Sequence, residues 1–164
     1  DLRDCVRFAT SLLNNRVTPR CRVETDLAPV PPALVAKSRL EQVFVNLLAN
    51  AIEAFPSDDP ERNLVRISTR VDGRHVVATV SDNGPGIASD VAPRVFEPFF
   101  TTKTAGAGSG LGLSLCRQIL SSYGGTIELR PSAIGTTFEV RLPVAGDTQQ
   151  SMSPRRDTPA AALN

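Results

Sequence analysis

The stretch VNLLANAIEAF, residues 45–55, decides the fold, because its apolar residues recur at the spacing of an α-helix. We predict a helix over residues 38–55 that ends at Pro56 and a polar loop. One arc of this helix is apolar, and the other carries a polar stripe spanning roughly 80° around the axis: Gln42, Asn46, Asn50 and Glu53. The polar stripe is either the solvated face of the helix or a face that contacts a ligand. Solvated helix faces favour Lys, Glu and Arg over asparagine, which is the argument for a ligand.

The bulk composition excludes several classes of protein. A chain of 164 residues is long enough for one domain with a core, and a net charge of +1 gives no case for a nucleic-acid surface. Cys5, Cys21 and Cys116 lack metal-ligand spacing, so we expect buried or idle thiols in a reducing compartment. Without an apolar run of 18 residues or a leader, we expect a cytoplasmic fragment that makes no membrane contact, while a longer parent protein is free to be membrane-anchored.

The rest of the chain alternates between helical and strand-like periods. In the first helix Leu2, Val6, Ala9, Leu12 and Leu13 share one face. The other expected elements are strands over 21–27, 64–71, 75–82, 126–131 and 135–143, a proline-rich connection over 28–37, and a helix over 111–125 ended by glycines. Short turns between consecutive strands imply mostly antiparallel pairing. We predict an α+β two-layer sandwich with helices on one face of the sheet.

An acidic, glycine-containing turn follows the strand over 75–82. Asp82 closes the strand, and Gly84 and Gly86 come directly after it. A carboxylate at a strand end can accept a hydrogen bond from a ligand amino group, such as that of adenine, while glycines let the backbone approach the ligand closely. An ordinary turn is the alternative, since Asp-Asn-Gly is favourable turn chemistry.

A glycine run precedes the last helix, with glycines at the alternate positions 106, 108, 110 and 112. Free backbone N–H groups at a loop and helix start suit phosphate oxygens. The run fits neither the P-loop pattern nor the dinucleotide fingerprint. A flexible linker and a mobile lid are both open interpretations.

Five segments taken together identify a family. NLLANAIEA, DNGPGI, FEPFFTTK, GSGLGLSLC and GTTFEV resemble the successive boxes of the ATP-binding catalytic domain of sensor histidine kinases. That domain belongs to the GHKL superfamily, together with type II topoisomerases, heat-shock chaperones and mismatch-repair ATPases. The resemblance covers about residues 20–143 and implies a sandwich of the Bergerat type.

The resemblance also implies residue roles. Asn50 would ligate Mg²⁺ through its side-chain oxygen, Asp82 would accept from the adenine amino group with support from Thr136, and Lys103 would reach the terminal phosphates. Three phenylalanines, Phe96, Phe99 and Phe100, would anchor the base of the lid. The full expected ATP-binding set is Asn46, Asn50, Glu53, Asp82, Gly84, Gly86, Ile87, Phe96, Phe100, Thr101, Thr102, Lys103, Gly108, Ser109, Gly110, Leu111, Gly112, Leu113 and Thr136.

Asn46 separates the branches of the superfamily. The hydrolysing members usually carry a water-activating Glu at this position, whereas an amide cannot act as a general base near neutral pH. With Lys103, Asn46 is an expected catalytic residue of a kinase. Glu53 lies on the wrong side of Asn50 to replace that Glu, and we expect it to be solvated or near the Mg²⁺ shell.

The implied function is transfer of the ATP γ-phosphoryl group to a histidine on a dimerisation domain absent from this chain. His75 follows a turn in a strand, and we interpret it as structural. Residues 1–19 would form the helical link from that domain, 20–145 the catalytic domain, and 146–164 a disordered tail. The expected partners are the phosphoacceptor domain and, indirectly, a response-regulator receiver. The fragment would be monomeric or weakly associating, and its parent a homodimer.

Three other functions stay open. The first is an ATP-hydrolysing switch, for which Asn46 is the wrong residue. The second is a non-catalytic module that binds nucleotide or a protein partner, which degenerate boxes would favour. The third is a serine-directed kinase of the anti-sigma-factor type, which the pocket residues do not exclude.

Overall fold

The structure is a computed structural model in which residues 1–103 and 108–146 are described. Gly106 of the glycine run and the predicted disordered tail beyond residue 146 lie outside these described residues. No helix within the described ranges is both long and apolar enough to cross a bilayer.

The described elements follow the predicted order of helix, strand, helix, two strands, glycine loop, helix and two strands. The helices are α1 Leu2–Leu12, α2 Asn14–Val17, α3 Lys37–Ala54 and α4 Gly112–Ser122, with a 3₁₀ turn over Ala92–Arg94. The strands are β1 Arg22–Leu27, β2 Leu64–Asp72, β3 His75–Asp82, β4 Thr126–Arg130 and β5 Thr137–Pro143. The short helix α2 was not predicted.

Five strands form one sheet in the order β1-β2-β3-β5-β4. β1 runs parallel to β2, and the other three pairings are antiparallel. β3 is the central strand, and its register sets Ser81 opposite Thr137 of β5. The end of β3 therefore meets the start of β5, where the Asp82 backbone N–H donates to the Thr136 carbonyl oxygen at 2.9 Å.

The helices pack on one face of this sheet, which confirms the predicted two-layer α+β sandwich. α3 lies at the centre of the helical layer and contacts α1, α4 and the strands β2 and β3. Its apolar arc is buried as predicted: Val43, Phe44, Leu47, Leu48, Ala51 and Ile52, with Phe55 just beyond the helix. Because these side chains point into the core, the opposite polar stripe is turned away from the sheet.

The first helix belongs to the same core. α1 packs against α3, and its Leu2, Cys5, Val6 and Ala9 are at most 1% exposed. The prediction that Leu12 shares this face is wrong, since Leu12 is 59% exposed. The chain turns between α1 and α2, so Leu13 rather than Leu12 is the next buried residue after Ala9. The three cysteines are free and buried, as predicted.

The other face of the sheet carries a network of ion pairs centred on Glu139. Glu139 of β5 lies at its centre, with a side chain only 9% exposed, and pairs with Arg70, Arg130 and Arg141. Arg141 also reaches Asp72 at 2.8 Å. These pairs cover the sheet face that the helices leave open.

Candidate functional site

A cavity of about 660 Å³ lies between α3, the ends of β3 and β5, the segment 85–103 and the start of α4. The polar stripe of α3 forms one wall, through Asn46, Asn50 and Glu53. Gln42, the first residue of the stripe, is not among the lining residues. Over most of its length the stripe thus faces this cavity.

The two asparagines of the stripe meet the start of α4. The Asn46 side-chain amide donates to the Gly112 carbonyl oxygen at 3.4 Å. A Cβ added to Gly112 would lie 3.9 Å from Asn46 Cγ and 4.0 Å from Asn50 Nδ2. A side chain at position 112 would therefore fill the space in front of both amides.

Asp82 provides a buried carboxylate in the cavity. It is 8% exposed, and its Oδ1 accepts from the backbone N–H of Gly84 at 2.9 Å and of Thr136 at 3.2 Å. Burial raises the pKa of Asp82, and these hydrogen bonds offset only part of that effect. The following residue, Asn83, ties the start of β2 in place, since its side chain accepts from Leu64 N–H and donates to the Arg62 carbonyl.

Gly135 is a residue of the site that was not predicted from the sequence. It has φ +68°, and a Cβ added there would lie 1.9 Å from the Asp82 carbonyl oxygen. Gly86 in turn has φ +79° and lies close to the Gly135 carbonyl oxygen. The glycine that precedes Thr136 in GTTF was the available signal, because a glycine beside a binding residue indicates close backbone approach.

An apolar wall also lines the cavity, and only part of it was predicted from the sequence. Ile87 and Leu113 were predicted, whereas Val80, Val95 and Phe138 were not. Val80 and Phe138 each lie two positions from a predicted site residue within or beside a strand. The period of two puts such residues on the same face of the sheet, which was a usable signal.

The three phenylalanines of FEPFF have different environments. Phe96 packs edge-on against Phe138, with ring centroids 6.0 Å apart. Phe100 lines the cavity, and the Arg94 guanidinium carbon lies 4.4 Å from the centroid of its ring. The Phe99 ring is 74% exposed, so it anchors nothing by packing. Its backbone does hold the segment, because Phe99 N–H donates to the Gly110 carbonyl at 2.9 Å.

Phe99 and Gly110 both adopt the left-handed backbone conformation, with φ of 65° and 66°. A Cβ on Gly110 would lie 2.4 Å from the Phe99 carbonyl carbon. This contact holds the chain before residues 104–107 against the chain after them, at Phe99 and Gly110. A non-glycine residue with positive φ is uncommon and strained, which fits a position fixed by its surroundings.

Lys103 lies at the base of this loop and contacts the polar stripe. Its ammonium group forms an ion pair with Glu53, which also pairs with Arg16 of α2. Burial would raise the pKa of Glu53, but hydrogen bonds from Lys103 and Arg16 outweigh it, so the pKa is lowered. Glu53 is thus an ionised, doubly paired carboxylate rather than a solvated one.

The N-terminus of α4 opens beside the same residues. No side chain within residues 1–103 or 108–146 caps it, and Leu111 N–H donates to the Ser109 hydroxyl at 3.3 Å. The first N–H groups of an eleven-residue helix carry a partial positive charge that suits an anion.

The cavity brings together most of the predicted set. Three predicted residues do not line it: Gly84, Phe96 and Leu111. They lie next to it instead, Gly84 as a donor to Asp82, Phe96 behind Phe138, and Leu111 at the start of α4. The unpredicted lining residues are Leu47, Ala49, Ala51, Ala54, Val80, Pro85, Ala88, Val91, Val95 and Phe138.

Comparison with known families gives a match over residues 36–146 to the model described as "Histidine kinase-, DNA gyrase B-, and HSP90-like ATPase". The C4-dicarboxylate transport sensor protein DctB of Rhizobium meliloti is 42% identical over 143 residues, which are 86% of this chain and 22% of DctB. The sensory histidine kinase/phosphatase NtrB of the same organism is 38% identical over 128 residues, 71% of this chain and 33% of NtrB. The chain thus spans between a fifth and a third of these relatives.

Solved structures show the same fold. The catalytic domain of the histidine kinase ThkA superposes with a TM-score of 0.75 at 29% identity, covering 86% of this chain and 91% of that domain. Full-length ShkA in complex with AMPPNP superposes with a TM-score of 0.73 at 26% identity, covering 87% of this chain and 30% of ShkA. The match to ThkA extends over nearly that whole domain.

The chain therefore belongs to the histidine kinase-, DNA gyrase B- and HSP90-like ATPase family, and within it is a catalytic, ATP-binding domain of the sensor histidine kinase type.

Proposed function

We propose that this chain binds ATP with Mg²⁺ and transfers the γ-phosphoryl group to a histidine on a dimerisation domain of its parent protein. The observation that carries the proposal is the composition of one cavity, in which the buried Asp82 carboxylate, the Lys103 ammonium and the uncapped N-terminus of α4 meet. An acceptor for a base and two donors for phosphates are what a nucleoside triphosphate requires.

Asp82 is suited to the adenine amino group. Its Oδ1 is held by two backbone N–H groups, so the carboxylate orientation is fixed before a ligand arrives. The apolar wall around Val80, Ile87 and Phe138 provides the flat, dry surface that a purine prefers. Gly86 packs against Gly135, and Gly135 packs against the Asp82 backbone, so these contacts fix the backbone at this end of the cavity.

Asn50 is the residue that fits Mg²⁺. Its amide lines the cavity, and an amide oxygen is a hard ligand of the kind that Mg²⁺ takes. No cluster of three acidic, histidine or cysteine side chains occurs in the described ranges, and Mg²⁺ needs none, since phosphates and waters complete its shell. When bound, Mg²⁺ neutralises phosphate charge during transfer.

Asn46 supports transfer rather than hydrolysis. Its amide occupies the position one turn before Asn50, donates to Gly112, and has no basic electron pair near neutral pH. Lys103 and the N–H groups of α4 would hold the terminal phosphates. The acceptor imidazole nitrogen then forms its bond to the γ-phosphorus as the bond to ADP breaks, and a carboxylate of the acceptor domain takes the imidazole proton.

The proposed function extends to the domains and partners of the parent protein. Residues 1–19 would link the acceptor domain to a catalytic domain over 20–145, with α1 already packed on α3. ThkA has been solved in complex with the response regulator TrrA, and we propose a receiver of that kind as the indirect partner of this chain. The parent would be a cytoplasmic or membrane-anchored homodimer.

A phosphotransfer assay tests this function. The chain is mixed with the separately produced histidine-bearing dimerisation domain proposed for its parent protein, and with ATP labelled in the γ position. We expect label on the dimerisation domain that is lost in acid and kept in alkali, as a phosphorus–nitrogen bond requires. Alkali-labile, acid-stable label would indicate a serine acceptor, and free phosphate without a labelled dimerisation domain would indicate a hydrolysing switch.

A further inference from the structure

Glu53 joins two parts of the molecule that are distant in the sequence. Its Oε1 accepts from the Arg16 guanidinium of α2, and its Oε2 accepts from the Lys103 ammonium at the base of the glycine loop. The two cations use different oxygens, so both pairs exist at once. Arg16 does not line the cavity, whereas Glu53 and Lys103 do.

The three side chains are partly shielded from water, with exposed fractions of 48% for Arg16, 28% for Glu53 and 31% for Lys103. Charges in such surroundings are screened less than fully exposed ones. The stem of Lys103 is also confined, because a Cβ on Gly108 would lie 3.2 Å from Lys103 Cδ. Lys103 N–H donates to the Thr101 hydroxyl at 3.2 Å. Among the described residues, Glu53 is the charged partner of the ammonium group.

We infer that Arg16, Glu53 and Lys103 form a relay through which α2 controls how firmly Lys103 is held and hence how readily it serves the terminal phosphate of ATP. The inference rests on the proposed function, since it assigns positioning roles within the proposed phosphate site. Arg16 and Glu53 are positioning residues that act through Lys103.

The direction of control follows from charge. Glu53 and the terminal phosphate compete for the same ammonium group. Arg16 neutralises part of the Glu53 carboxylate charge. Glu53 therefore attracts the Lys103 ammonium less strongly and repels the terminal phosphate less strongly. When Arg16 is removed or α2 shifts, Glu53 holds Lys103 with its full charge, and ATP binds less tightly. Because α2 follows α1, a displacement of the first helix changes the phosphate site without any contact to the nucleotide.

A mutant cycle tests the relay through ATP affinity. We expect Arg16→Gln to weaken binding of ATP about threefold or more, and to change affinity by less than about 1.5-fold when Glu53→Gln is already present, as coupled residues require. Arg16→Lys restores the affinity. Binding of ADP, which lacks the terminal phosphate, stays unchanged by Arg16→Gln. The matched control is Arg7→Gln, since Arg7 is 66% exposed on α1 and pairs with Asp4.

A second readout follows Lys103 without nucleotide. The sequence contains two lysines, Lys37 and Lys103, so reductive methylation with ¹³C-formaldehyde gives two lysine signals besides that of the N-terminal amine. We expect Arg16→Gln to move the Lys103 signal, to leave the Lys37 signal in place, and to have no effect on either in the Glu53→Gln background.

Two results would overturn the relay. One is an Arg16→Gln effect of equal size with and without Glu53, and the other is a Lys103 signal that ignores Arg16. Either result leaves the proposed function intact if the unsubstituted chain binds ATP. A chain that binds no ATP at all, in the same titrations, removes both the relay and the proposed function.

Discussion

Gly135 lies so close to Asp82 that a Cβ atom added to it would come within 1.9 Å of the Asp82 carbonyl oxygen. The two residues are 53 positions apart in the chain, and pairing of β3 with β5 brings them together. The contact fixes the backbone on which the Asp82 carboxylate is held. It makes a sharp prediction about position 135.

Replacing Gly135 by alanine should destabilise the protein severely, because the methyl group meets backbone that cannot move without opening the sheet. We expect a loss above about 4 kcal/mol in the free energy of unfolding, which is exceptional for one substitution. The matched control is Gly73→Ala, which also has positive φ but no atom within 4 Å of the added Cβ. That change should cost only about 1–2 kcal/mol. Equal losses in urea denaturation would contradict the close contact.

The charged Asp82 carboxylate should lower the free energy of unfolding at neutral pH, because it is buried in the cavity. Since burial raises the pKa of Asp82 above that of the unfolded chain, the folded state binds the proton more tightly, and stability falls as pH rises through the folded pKa. Asn accepts the same backbone hydrogen bonds without charge. We therefore expect Asp82→Asn to raise Tm at pH 7 and the difference to shrink as pH falls toward 4. A difference in Tm that is constant across this range would exclude the effect.

Glu139 should show the opposite dependence. Burial alone would raise the pKa of Glu139, but hydrogen bonds from Arg130 and Arg70 lower it to about 2. The stabilisation is thus complete above the ordinary carboxyl pKa and is lost as pH falls toward 2. We expect Glu139→Gln to cost roughly 1–3 kcal/mol at pH 7, and thermal denaturation at pH 2 to show little difference.

The control for this prediction is Glu128→Gln, because Glu128 is half exposed and lies at the edge of the same ion-pair network. It pairs with Arg130 at 3.0 Å. Its loss should change the free energy of unfolding by less than about 1 kcal/mol. If both substitutions cost the same, the central position of Glu139 has no energetic meaning.

The thiols should be unreactive in the folded protein. Burial raises the pKa of Cys5 and of Cys21, and raises the pKa of Cys116 to about 12. Thiolates are the reactive form, so iodoacetamide at pH 8 should label the native chain very slowly and the urea-unfolded chain at once. Mass spectrometry counts the labels. Rapid labelling of Cys116 in the native chain would mean that the α3–α4 contact opens readily.

The fold could be predicted because its signals are local. Each signal is contained in one short segment of the sequence. Examples are the apolar arc of α3, the turn between β2 and β3, and the glycines that end α4. The polar stripe was visible for the same reason. The residue types left open whether it faces water or a ligand, and only the family resemblance decided in favour of a ligand. The structure places Asn46 and Asn50 on the cavity wall.

What could not be predicted depends on contacts between distant segments. The parallel pairing of β1 with β2, the Gly135–Asp82 contact and the Arg16–Glu53 ion pair all join residues far apart in the chain. The exposure of Phe99 was not predicted, because the family resemblance implied one anchoring role for all three phenylalanines of FEPFF. Its backbone contact with Gly110 depends on a residue eleven positions away.

The central claim is that this cavity binds ATP without consuming it when no acceptor is present. Calorimetric titration of the chain with ATP and Mg²⁺, repeated with Asp82→Asn, tests it most directly. We expect a saturable isotherm that Asp82→Asn weakens by about tenfold or more, as loss of a hydrogen bond to a charged group allows, with a flat baseline after each injection. Heat that continues to flow after each injection would reveal hydrolysis and contradict the role given to Asn46, and a titration without binding would contradict the site itself.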